Sequence, residues 1–63
     1  MKTQFSEVEK MFRERGYGEF ATPYWVHRTF EFKKLGEGIF KHYPCENNTK
    51  NDIRDIASKI ELV

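Results

Sequence analysis

Residues 24–43 constrain this chain more than any other stretch. Tyr24-Trp25-Val26-His27-Arg28-Thr29-Phe30-Glu31-Phe32 is dense in aromatic and β-branched side chains, which suit a pleated, half-buried surface. Lys33-Lys34-Leu35-Gly36-Glu37-Gly38 follows as a polar, glycine-bearing loop, and Ile39-Phe40-Lys41-His42-Tyr43 repeats the first pattern in shorter form. Two such runs joined by such a loop predict an antiparallel β-hairpin. Alternation puts Tyr24, Val26, Phe30 and Phe32, with Arg28 among them, on a core face. Trp25, His27, Thr29 and Glu31 fall on the other. In the second strand Ile39 and Tyr43 are expected inside. Residues 17–22, ahead of Pro23, read as a brief extended segment and a candidate third strand.

Helical patterns flank the hairpin. Phe5, Val8, Met11 and Phe12 draw one apolar stripe by steps of three and four. Thr3 or Ser6 serves as the expected cap, Glu9 with Arg13 as an i,i+4 ion pair, and Gly16 as the left-handed residue that ends the helix. Near the other end, Thr49 as N-cap and Asp52 three positions on give a capping-box-like start. Ile53, Ile56, Ala57 and Ile60 then form a second stripe, with Asp55 and Lys59 paired beside it. The fold expected from these elements is a single α+β domain over residues 1–63. It is a two-layer sandwich of order α-β-β(-β)-α, with both helices packed on one face of a small antiparallel sheet. The face carrying Trp25, His27 and Thr29 would then be open to a partner.

Charge narrows the function classes. Eleven lysines and arginines against ten acids exclude a strongly acidic mimic of DNA and argue against a purely electrostatic nucleic-acid binder. Cys45 is the single cysteine, so no disulfide holds the fold, and with no signal peptide legible the chain is expected in the cytoplasm. The apolar runs are two or three residues long, far too short to span a membrane.

Several side chains are candidates for chemistry or binding. His27 has the residue type for general acid–base work near neutrality, and Arg28 or Lys41 could supply a cation beside it. The alternative is an ordinary polar residue on a wet face. Lys33, Lys34, Lys41, Lys50 and Arg54 are candidate phosphate contacts. Lys50 and Arg54 form a like-charged i,i+4 pair whose repulsion a bound anion would relieve. Trp25, with His27 and Thr29, is the candidate partner interface, either stacking on a base or anchoring a protein. His42 and Cys45 stand in an H-x-x-C spacing, but with His27 they supply three ligands where a structural zinc site takes four, so no metal and no cofactor are expected.

The order of elements resembles the double-stranded-RNA-binding-domain topology and, within it, the HicA-type mRNA interferase toxins. Val8-Glu9-Lys10-Met11-Phe12-Arg13-Glu14-Arg15-Gly16-Tyr17 is similar to that family's opening helix, and residues 49–60 resemble its closing helix. His27, ahead of Phe30 and Phe32, falls roughly where the family's catalytic histidine precedes its second strand. Trp25-Val26 stand where the family carries a glycine and a small residue. The resemblance implies a small RNA-interacting protein, in its toxin form an endoribonuclease acting through His27. The rival expectation is a non-catalytic interaction module, such as a phage or mobile-element inhibitor or adaptor, that binds a host protein through its open sheet face. An open sheet edge and a small core favour a homodimer in either case.

Overall fold

The computed structural model describes residues 4–60. It contains four α-helices: α1 (Gln4–Glu14), α2 (Ala21–Leu35), the single-turn α3 (Ile39–His42) and α4 (Asn47–Ser58). A 3-10 turn at Gly36–Gly38 joins α2 to α3, and no strand occurs among the described residues. The α+β sandwich and its antiparallel hairpin are therefore not what the chain forms.

Helix α1 follows its stripe: Val8 and Phe12 are fully buried, Met11 is half-buried and Phe5 sits at the rim. Its end is a Schellman motif. Gly16 adopts φ +92°. Its N–H donates to the Arg13 carbonyl at 3.0 Å, and the Tyr17 N–H donates to the Phe12 carbonyl at 3.2 Å. The Phe12 and Tyr17 rings meet edge to face across the motif, centroids 4.9 Å apart. Glu9 and Arg13 pair at 3.5 Å. Ser6 lies inside the helix and is not its cap, and the alternative cap, Thr3, lies outside the described residues.

Helix α2 replaces the long strand, and its boundaries explain why. Pro23 is the third helical residue, within the first turn, where its fixed φ suits the helix. The Thr22 N–H reaches back to the Gly18 carbonyl at 2.9 Å, so residues 18–22 wind into the helix and form no third strand. At the far end Gly36 takes φ +72° with ψ −154°, a region open essentially to glycine alone, and its N–H closes on the Phe32 carbonyl just after Lys33 and Lys34. The fully buried residues are Thr22, Val26 and Thr29, at steps of four and three. Two buried β-branched threonines suit this helix because each hydroxyl is satisfied one turn back: Thr22 Oγ1 donates to the Gly18 carbonyl and Thr29 Oγ1 to the Trp25 carbonyl, each at 2.8 Å.

The strand-based facing holds at Val26 and Ile39, both buried, and is corrected at other positions. Val26 is buried, but Tyr24 is 45% exposed, while Phe30 and Phe32 flank the core half-buried. Thr29 and Trp25, expected on the open face, turn inward. Residues 39–43 form a helical turn with Ile39 buried and Tyr43 half-buried. Helix α4 starts two residues before the expected cap, at Asn47, with Thr49 already inside it. Ile53, Ile56, Ala57 and Ile60 are buried, as their stripe predicts, and Asp55 pairs with Lys59 at 3.2 Å.

Helix α2 packs against both α1 and α4. Val8, Phe12, Val26, Ile53, Ile56 and Ile60 meet as one core, with Trp25, Phe30, Phe32 and Phe40 around its margin. A helix clasped from two sides needs apolar surface over most of its circumference. That requirement is what gives residues 24–32 a strand-like density of rings.

Candidate interaction surface

Helical geometry separates the three residues expected to share a partner face. Trp25 and Thr29 are one turn apart and point inward, the Trp25 and Tyr24 rings meeting edge to face with centroids 4.7 Å apart. His27, two residues from either, projects outward, and its ring meets that of Phe5 at 5.8 Å. Around it on the outer side of α2 lie Tyr24 and Glu31, one turn away in each direction.

The candidate phosphate contacts divide likewise. Lys34 and Lys41 are exposed, on α2 and α3, and Lys33 is half-buried on the inner side of α2. Lys50 and Arg54 do come together, over the Phe40 ring: Nζ lies 5.6 Å and the guanidinium carbon 5.4 Å from its centroid. The anion that relieves their repulsion is the chain's own Glu37. Arg54 Nε and Nη2 donate to its two carboxylate oxygens at 2.7 and 2.5 Å, and Nη1 donates to Asn51 Oδ1 at 3.0 Å. This fork holds the Glu37 carboxyl below the usual carboxylate range and raises Arg54. Arg54 is thus neutralised within the fold.

Two further arginines are also committed, among them Arg28, the candidate cation beside His27. Arg28 lies over the Tyr43 ring at 3.9 Å and the Tyr24 ring at 5.0 Å, with Nη2 on Glu31 at 2.7 Å. It fastens the segment after α3 to α2. Arg15 donates to Asp52 Oδ1 at 2.8 Å and Asp55 Oδ2 at 2.5 Å, and the Tyr17 hydroxyl donates to Asp52 Oδ2 at 2.8 Å. These bonds lash the end of α1 to α4 beside an open depression lined by Arg15, Tyr17, Asn48 and Asn51. Arg15 and then Lys59 hold the Asp55 carboxyl below its ordinary value, while burial is the main cause that pushes the Tyr17 phenol up. His42 is exposed and Cys45 half-buried, with its thiol raised by burial. Among the described residues no group of three or more His, Cys, Asp or Glu is placed to hold a metal ion.

What sequence reasoning missed is the surface of α2 itself. Phe20 is 92% exposed, Leu35 64%, Tyr24 45% and Phe5, against His27, 36%. Phe20, Tyr24, Glu31 and Leu35 follow one another by steps of four, seven and four, one stripe of a helix. The signal was present in that spacing and becomes visible once Pro23 and Gly36 are taken as helix boundaries. Among the described residues no helix is long and apolar enough to cross a membrane. Comparison of the chain with protein-family models, with curated proteins and with solved structures finds no match.

Proposed function

We propose that this chain is a non-catalytic protein–protein interaction module whose docking surface is the outer face of α2. The observation that carries this reading is the exposure of Phe20 and Leu35 at the two ends of one helical stripe, with Tyr24 between them. Singly exposed apolar residues are ordinary, whereas several aligned on one face mark a contact surface. Burying a phenylalanine or leucine contributes about 1.5–3 kcal/mol each, so a partner covering both ends gains a useful anchor. The RNA-cleaving alternative has less to stand on. Its order of elements required strands, His27 stands on the outer face of a helix, and Arg54, Arg28 and Arg15 already hold carboxylates of the same chain. The unpaired Cys45 supports a reducing compartment, the cytoplasm, as the place of action.

A photo-crosslinking residue placed at Phe20 tests the reading in cells, with the exposed Lys10 of α1 as control. A discrete polypeptide adduct at position 20, absent at position 10 and lost in Leu35→Glu, is the expected result. Adducts to RNA, or equal labelling at both positions, would overturn it.

A further inference from the structure

We infer that residues 36–46, between α2 and α4, form a strap that swings open as a unit while the core of α1, α2 and α4 stays folded. Such an opening is independent of what binds the outer face of α2. The central core draws its residues from those three helices and from Ile60 just beyond α4, and none from the strap. The strap contributes one buried side chain, Ile39, with Phe40, Tyr43 and Cys45 half-buried. Phe40 rests on Phe32 of α2, ring centroids 5.6 Å apart, and lies under Lys50 and Arg54 of α4. A charged latch closes each end: Arg54 grips Glu37 at the start, and Arg28 lies over Tyr43 at the finish. Exposed ion pairs hold weakly, and a single helical turn does not persist without its packing.

Both ends are free to pivot. Among the described residues, no atom beyond the chain neighbours stands within 4 Å of where a Cβ on Gly36 or Gly38 would be. Residues 44–46 have no regular structure. The closed state also carries a cost. Among the described residues nothing accepts from the buried Nε of Arg28, whose guanidinium lies over the Tyr24 and Tyr43 rings. Lifting Tyr43 away lets water reach that N–H. Segments with few buried apolar contacts open at a lower free energy than the whole fold. Opening uncovers Ile39, Phe40 and the Phe32 ring, and frees Tyr24 from its contact with Tyr43.

Native-state hydrogen exchange of the full chain in low urea tests the strap. The reporter is the Tyr43 N–H, which donates to the Ile39 carbonyl at 3.0 Å, with the Val26 and Ile53 amides as core references. Corrected for intrinsic rates, Tyr43 should exchange at least tenfold faster than the references and with a weaker urea dependence, because its opening exposes less surface. Ile56→Val should speed the core amides roughly fivefold and leave Tyr43 unchanged, since the core is intact in the open form. Glu37→Gln, which releases the latch at the opposite end of the strap, should speed Tyr43 about threefold. Acceleration of Tyr43 by Ile56→Val would mean that strap and core unfold together. Indifference of Tyr43 to Glu37→Gln would mean that one turn frays and no unit opens. Either result overturns the strap.

Discussion

Thr22 and Thr29 are polar side chains that the core admits with no residual exposure. Burying a hydroxyl is costly unless it is bonded, and each is bonded to a carbonyl of its own helix. Because donor and acceptor are satisfied locally, Thr29 contributes shape more than polarity. Thr29→Val, which keeps the shape, should change stability by less than ~0.5 kcal/mol in a urea titration. Thr29→Asp places a carboxylate at a fully buried position and should abolish the cooperative transition. Residue identity also shows why the earlier reading of Trp25 and Thr29 failed. Both have types at home on a sheet, yet their separation of four residues fits one side of a helix. His27 is exposed under either geometry, so its position alone could not discriminate between them.

At the scale of elements, α1 and α4 were legible and α2 was not. The outer helices each face one neighbour, so their apolar residues fall in one stripe, which periodicity detects. The middle helix faces two, and its rings spread around the axis until helical and alternating periods fit almost equally well. Its punctuation was the better guide. Pro23 sits in the first turn, and Gly36 follows the two lysines that favour the negative end of the dipole. Gly36 stops the helix at φ +72°, which an L side chain rarely adopts, so Gly36→Ala should cost about 1 kcal/mol by chemical denaturation. Pro23→Ala should be close to neutral, whereas Val26→Pro should remove the helix and the fold. In a hairpin Gly36 would lie in the connecting loop, where alanine is better tolerated, so the Gly36→Ala cost is the outcome that separates the two geometries. The candidate surface was lost with the helix: under a period of two, Phe20 and Leu35 fall on opposite faces.

Taken whole, the molecule has a small core supplemented by arginine clasps between distant segments. Arg15 joins α1 to α4, Arg54 joins α4 to the turn after α2, and Arg28 joins α2 to Tyr43. The carboxyls of Asp55 and Glu37 titrate lower in the folded protein than their ordinary values of 3.8 and 4.5. The unfolded chain therefore takes up those protons first. Their contribution is present above the ordinary carboxylate range and fades as pH falls through and below it. The midpoint of thermal unfolding should accordingly hold steady from neutrality to about pH 5 and decline toward pH 3. Added salt at neutral pH should lower it only slightly, because exposed pairs are screened. Arg15→Ala should flatten the acid decline; an unchanged profile would show that the clasp does not carry it.

Trp25 is the chain's single tryptophan, with its indole against the core and in T-shaped contact with Tyr24, a residue of the outward face. That position makes it a native optical reporter of two separate events. Loss of the fold brings the indole into water and reddens its emission. Coverage of the α2 face leaves the indole packed but alters the neighbouring phenol, so energy transfer from Tyr24 and the near-ultraviolet dichroism change without a red shift. Association and unfolding can thus be told apart spectroscopically, in one unlabelled sample.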